Sequence, residues 1–103
     1  MSSQPSNTTV TSGVVYRVYH SNIWNNEFLK ACLKIRRWNA PSADPAITAV
    51  MLYTEKDARQ YCRQVEKFGG TFYQARRKGM NGGTSYVKVD EQGERAVKVP
   101  QGG

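Results

Sequence analysis

The amino-acid sequence predicts an α+β domain with two layers, in which two helices cover one face of a sheet of four or five strands. Two segments carry apolar residues at helical spacing, and the segments around them are rich in β-branched and aromatic residues. The 103 residues are enough for one hydrophobic core without a metal or a disulfide. We therefore expect one domain at residues 13–100, between a disordered tail at 1–12 and a frayed terminus at 101–103.

The fold is expected to begin with a strand and a helix. Residues 14–20 are mostly β-branched and aromatic, which predicts a strand. One face of it consists of Val14, Tyr16 and Val18. From residue 24 to about residue 38, apolar side chains recur at helical spacing, so an amphipathic helix is expected there. Its apolar positions are Trp24, Phe28, Ala31, Cys32 and Ile35. Two prolines in residues 39–46 then predict a loop.

A central strand and a second helix follow. Residues 47–53 are almost continuously apolar, as in a strand that is covered on both faces or on most of one. The hydroxyl of Thr54 can cap a helix whose first turn holds two acids, which the helix dipole favours there. The helix should end at Gly69-Gly70, where one glycine can adopt a left-handed conformation. Its apolar face consists of Ala58, Tyr61, Cys62, Val65 and Phe68.

The last predicted elements are a hairpin and an edge strand. Residues 71–77 and 84–90 alternate as strands do, and Asn81-Gly82 between them favours a type I′ turn. A short edge strand is expected at 95–99. The hairpin tip at 76–83 combines three adjacent cations with three glycines. The predicted order is therefore β-α-β-α-β-β, with this edge strand as a further element.

Charge gives the first functional prediction. Fifteen Lys and Arg against eight Asp and Glu leave a net charge of +7, which suits an anionic partner. The three hairpin cations have no acid near them in the sequence. We therefore predict a small non-enzymatic module that binds DNA or RNA mainly through phosphate, with little sequence specificity. The principal contacts are expected at Arg76, Arg77 and Lys78, and further contacts at Tyr73, Tyr86, Arg59, Arg63 and Lys67.

The predicted order of elements and the basic hairpin after the second helix resemble the Alba chromatin proteins. That resemblance implies a nucleic-acid surface on the hairpin. The chain departs from the Alba pattern at the start of the first helix, where residues 21–26 lack the cations and the glycine of that family.

A protein partner is the alternative that the same features leave open. An inhibitor, adaptor or linker could dock on an acidic protein through the cationic surface or through an exposed sheet edge, and a homodimer is compatible with both.

No catalytic residue, metal or cofactor is expected, because spacing assigns no nucleophile to His20 and the acids are scattered. No segment is apolar enough to span a membrane, and Cys32 and Cys62 occupy apolar positions. We expect reduced core cysteines in a soluble, cytoplasmic protein.

Overall fold

The computed structural model of the chain describes residues 13–42, 44–73 and 85–99. In these ranges the elements are β1 (Val15–Ser21), α1 (Asn26–Ala31), β2 (Arg37–Ala40), β3 (Ile47–Leu52), α2 (Glu55–Lys67), β4 (Ser85–Asp90) and β5 (Gly93–Lys98). The predicted α+β class is confirmed, because the helices pack against a five-stranded sheet. The tail predicted at 1–12, the hairpin tip at 76–83 and the terminus at 101–103 lie outside the described residues.

The sheet has the order β2-β3-β1-β4-β5, and every neighbouring pair is antiparallel. Each helix therefore connects two parallel strands that have a third strand between them. The chain runs from β1 through α1 to β2 with β3 in the gap, and from β3 through α2 to β4 with β1 in the gap. This is the split β-α-β arrangement of ferredoxin-like domains, extended by β5 at one edge.

The first helix is shorter than the sequence predicts, and a strand replaces its C-terminal half. α1 ends at Ala31, and Arg37–Ala40 pairs with β3. The Arg37 guanidinium donates to the carbonyl oxygens of Cys32 and Ile35, groups that a continued helix would have used internally. Pairing with β3 thus outweighs the local helical pattern. With this added strand, the observed order of elements differs from that of the Alba proteins.

The second helix begins and ends where the sequence predicts. The Thr54 hydroxyl accepts a hydrogen bond of 3.1 Å from the backbone N–H of Asp57, and Gly69 has φ +76° just after the helix. Gly70 is needed for a close approach, since a Cβ there would lie 2.6 Å from Cγ1 of Val65 and 2.8 Å from a second side-chain carbon. No helix among the described residues is long and apolar enough to cross a membrane.

The core lies between the helices and the inner face of the sheet. Val18 of β1, with Val50 and Leu52 of β3, is at most 1% exposed. The helical layer contributes Phe28, Cys32, Ile35, Ala58, Tyr61, Cys62 and Val65. Both cysteines are buried and free, as predicted. Burial raises the pKa of Cys32 and raises the pKa of Cys62 to about 12, so neither thiol is a reactive thiolate at neutral pH.

Candidate nucleic-acid interface

The sheet has a second face, which points away from both helices and which we term the open face. Directly opposite residues of antiparallel strands point to the same side, and successive residues alternate, so the strand registers assign the members of each face. The open face includes Val15, Arg17, Tyr19 and Ser21 of β1, Trp38 and Ala40 of β2, Ile47, Ala49 and Met51 of β3, Val87 and Val89 of β4, and Glu94, Ala96 and Lys98 of β5.

Three aromatic rings belong to the open face. Trp38 lies on the edge strand β2 and is 51% exposed. Tyr19 lies on the central strand and is half-buried. Tyr73 is opposite Tyr19, because its N–H donates to the Tyr19 carbonyl at 2.9 Å and the neighbouring residues His20 and Phe72 form an antiparallel bridge. Tyr73 is thus the one sequence-predicted contact that the described structure places on this face.

Arg17 occupies the centre of the open face. It lies between Met51 of β3 and Val87 of β4 in the cross-strand row. Its guanidinium is 3.8 Å from the carboxylate of Glu94, and the side chain is 32% exposed. The Nε–H is buried and has no hydrogen-bond partner among the described residues. A buried donor without a partner is costly, so a movement of the side chain that brings the Nε–H to an acceptor would be favourable.

A second arginine, Arg36, lies at the margin of this face and contacts a tyrosine ring. The adjacent Arg37 does not belong to the face. Arg37 points toward the helices, where its guanidinium lies 5.8 Å from the ring centre of Tyr61. Its neighbour Arg36 points to the other side, with the guanidinium 5.5 Å from the ring centre of Tyr53, the residue that follows β3. Such a cation-π contact fixes the guanidinium plane while its N–H groups remain able to donate.

The cations predicted on the second helix lie on the opposite side of the domain. Arg59, Arg63 and Lys67 recur every four residues on the face of α2 that points away from the sheet. Arg59 is 3.5 Å from the carboxylate of Glu55, an exposed i,i+4 pair. Both layers of the fold separate this stripe from Tyr73, so the two sets of predicted contacts do not form one continuous surface.

Tyr86 is placed in the core. It is 1% exposed, its ring packs edge-to-face on Tyr16 at 5.5 Å, and its hydroxyl donates to Glu55 at 2.6 Å. Burial, together with this hydrogen bond, raises the pKa of Tyr86 to about 12, and the same hydrogen bond lowers the pKa of Glu55. The ring has no free surface on which a base could stack, because the helices cover that side of the sheet. The remaining predicted contacts, Arg76, Arg77 and Lys78, lie outside the described residues.

The only histidine is a buried structural group. His20 is 1% exposed, its Nδ1–H donates to the Ser21 carbonyl at 2.6 Å, and its Nε2 accepts from the Tyr61 hydroxyl at 2.7 Å. Burial lowers the pKa of His20 to about 4 and raises that of Tyr61, so both are neutral at pH 7. A cleft of about 190 Å³ lies beside the pair, with Trp24 and Arg37 in its lining. Both ring nitrogens of His20 are occupied within the chain.

Among the described residues, no group of three or more His, Cys, Asp or Glu side chains could hold a metal ion. Several polar groups of the His20 cleft also have partners within the chain. Asn22, for example, donates to the Pro45 carbonyl and accepts from the Thr48 hydroxyl. The open face differs from this cleft, since its central arginine retains a donor without a partner.

Sequence reasoning missed most of the open face for two separate reasons. For Arg17 and Tyr19 the signal was present, because a strand that turns Tyr16 and Val18 toward the helices must turn the intervening residues away. For Trp38 no such signal exists, because the segment before it has helical periodicity and the strand forms only through pairing with β3.

Comparison with known proteins gives no further identification. No protein-family model, curated protein or solved structure matches the chain, so its function is inferred from the chemistry of its own surfaces.

Proposed function

We propose that this chain is a small non-enzymatic module that binds nucleic acid, chiefly through phosphate and with little sequence specificity. The observation that supports this best is the open face, where Arg17 lies among Tyr19, Trp38 and Tyr73 on one side of a rigid sheet. Arginine and exposed aromatic rings are the side chains that meet the phosphates and bases of a nucleic acid.

The charge of the chain supports the same partner. The twelve cations and eight acids of the described residues leave a charge of +4, and Arg76, Arg77 and Lys78 supply the other three charges. This basic trio follows Tyr73, and therefore the open face, by three to five positions in the chain. We assign phosphate contacts to the trio and to Arg17, because Arg binds a phosphate through paired hydrogen bonds and Lys acts as a point charge.

The expected mechanism is counterion release. Each phosphate that a cation neutralises frees condensed counterions, so the logarithm of the affinity falls by about 0.9 for each contact per unit of log salt on duplex DNA, and by about 0.7 on single strands. Because phosphates are alike along any strand, such contacts hold the protein without reading sequence.

Fluorescence anisotropy over a salt series tests the proposal. Labelled DNA and RNA oligonucleotides are titrated with the purified protein, from which co-purified nucleic acid has been removed. The variant R76A/R77A/K78A is expected to weaken binding and to lower the salt slope by about one unit for each lost phosphate contact. The matched control K30A/K34A/K56A removes the same charge from exposed positions outside the proposed contacts and should change the slope far less. Absence of binding to every oligonucleotide at low salt would refute the proposal.

A protein-interaction module is the second candidate, and one specific observation favours it. The large hydrophobic residues that are exposed in the described ranges, Trp24, Leu29, Leu33 and Trp38, all fall within 15 consecutive positions. They lie on or beside α1 and on β2, a sheet edge whose backbone can pair with another strand. Together with the basic surface, this edge suits an acidic protein partner.

Affinity capture after nuclease treatment separates the two candidates. A partner that is retained by the wild-type protein after nuclease treatment, and lost with L33D, would favour a protein-interaction module. Leu33 is 75% exposed, so this substitution leaves the core intact.

We assign the chain to the cytoplasm under either function, because its two buried cysteines are free thiols, as is usual in a reducing compartment.

A further inference from the structure

We propose that the open face binds single-stranded nucleic acid, with unpaired bases stacked on Tyr19 and Trp38 and with Arg17 bound to the strand between them. This inference rests on the proposed function and narrows its substrate to unpaired DNA or RNA. It depends on three features of the described residues: ring exposure, the spacing across the sheet, and the positive charge of Arg17.

The first feature is the exposure of the rings. Trp38 is 51% exposed although it belongs to the sheet, and Tyr19 and Tyr73 are both half-buried. A ring that is fixed at its base by a strand loses little entropy when a planar partner covers its free side. In a duplex the faces of the bases are already stacked on one another, whereas an unpaired base offers a whole face to a side chain. Rings on a sheet surface therefore select unpaired strands.

The second feature is the spacing between the rings. Tyr19 lies opposite Ala49, Ala49 lies opposite Ala40, and Trp38 is two positions from Ala40 on β2. Two strand spacings of about 4.8 Å and two residues of about 3.4 Å separate the Tyr19 and Trp38 backbones by about 12 Å. Stacked neighbours in a nucleic acid are about 3.4 Å apart, so the two rings suit bases that are not adjacent. Ala49 is 4% exposed and Met51 lies between Arg17 and Trp38, so the strand would cross over these side chains.

The third feature is Arg17, whose positive charge favours an anionic strand as the bound partner. It precedes Tyr19 by two positions on β1, and it shares a cross-strand row with Trp38 through Met51. Its Nε–H is buried without a partner in the described structure. The side chain is 32% exposed beside Glu94, so a phosphate of the bound strand would contact the guanidinium from the solvent side.

Charge complementarity also favours a polyanion over the other occupants. The described strands place Arg17 and Lys98 on the open face against one acid, Glu94, and Arg36 adds a third cation at its margin. A second copy of the chain would bring these cations face to face, at a cost in repulsion. An apolar protein surface would bury Arg17 and leave its Nε–H without an acceptor.

The experiment isolates the fluorescence of Trp38 and compares unpaired with paired oligonucleotides. W24F leaves Trp38 as the sole tryptophan, and Trp24 is 90% exposed on the helix side, where it lines the His20 cleft. The probes are labelled ten-nucleotide oligo(dT) and oligo(U), with a ten-base-pair duplex for comparison. We expect the single strands to quench Trp38 fluorescence and to bind at least tenfold more tightly than the duplex.

Substitutions on the face then assign the binding to the rings. W38L and Y19L keep apolar bulk but remove the π surface, and each is expected to weaken single-strand binding about five- to 150-fold while the salt slope stays unchanged, because no phosphate contact is lost. Y19F retains a ring and should bind like the wild type. W24A, which removes the more exposed tryptophan from the other side of the sheet, is the matched control and should have no effect. Circular dichroism confirms that each variant is folded.

The outcomes distinguish this inference from the proposed function. Salt-dependent binding in which the duplex binds as tightly as the single strands, or in which W38L and Y19L bind like the wild type, would overturn the stacking inference and leave the proposed function standing. Failure of every oligonucleotide to bind at low salt would overturn both. Quenching of Trp38 by single strands, lost binding in the two leucine variants and an unchanged W24A would support the inference.

Discussion

The buried His20–Tyr61 pair makes the stability of this domain sensitive to mild acid. Burial lowers the pKa of His20 to about 4 in the folded chain, against 6.5 for an ordinary histidine. Between these two values the unfolded chain binds the proton more readily than the folded chain does, so stability falls as the pH is lowered through this window. Integration from pH 7 to pH 5 gives a loss of about 2 kcal/mol from this one group.

The measurement is urea unfolding at pH 7 and at pH 5, with the free energy of unfolding obtained by linear extrapolation. Two carboxylates with structural contacts, Glu55 and Asp90, have lowered pKa values. Their contribution is lost only as the pH falls through those lowered values, so they remain charged at pH 5. The change between the two pH values therefore reports mainly on the histidine.

The control is the double variant H20F/Y61F, which replaces both partners by apolar rings of similar shape. Removing both groups avoids the penalty of leaving one of them buried without its hydrogen bond. The double variant should lose about 2 kcal/mol less than the wild type between pH 7 and pH 5. An equal loss in the two proteins would show that the imidazole is not the responsible group, and the argument from burial would fail.

Three further substitutions test the packing and the helix caps by equilibrium unfolding at pH 7. Y86F removes the 2.6 Å hydrogen bond to Glu55 and should cost about 1 kcal/mol, because that carboxylate is largely exposed; an unchanged stability would show that water replaces the hydroxyl without loss. N25A removes the side-chain oxygen that caps α1 and should also cost about 1 kcal/mol, with the exposed Asn26 as the site of a matched alanine control. G70A places a Cβ within 2.6 Å and 2.8 Å of side-chain carbons and should cost about 1–3 kcal/mol; a more stable variant would mean that these side chains have room to move.

The sequence predicts the elements whose signals are local. α2 has a capping threonine, a long apolar stripe and a terminal glycine, and both of its ends agree with the prediction. β1 and β3 are rich in β-branched, aromatic and other apolar residues, which favour strands. Both strands form where the sequence predicts them. These features depend on residues that are close together in the chain.

The features that the sequence does not predict depend on distant partners. β2 forms because β3 offers it a free edge, and Arg37 makes the turn before it possible by binding carbonyl groups at the end of α1. Because the segment before Trp38 has helical periodicity, the sequence assigns Trp38 to a helix and not to the open face. The burial of Tyr86 likewise depends on Tyr16 and Glu55, which are far from it in sequence.

The position of β1 in the middle of the sheet sets the order in which the domain can assemble. β1 is made first, but its side away from β3 pairs with residues that follow much later in the chain: His20 with Phe72, 52 positions on, and Val15 with Val89, 74 positions on. Only the hairpin of β2 with β3, and its pairing with β1, can form early. Contacts of such long sequence separation slow folding, so we expect refolding on the millisecond-to-second scale of sheet-rich domains, with closure of β1 against β4 as the late step.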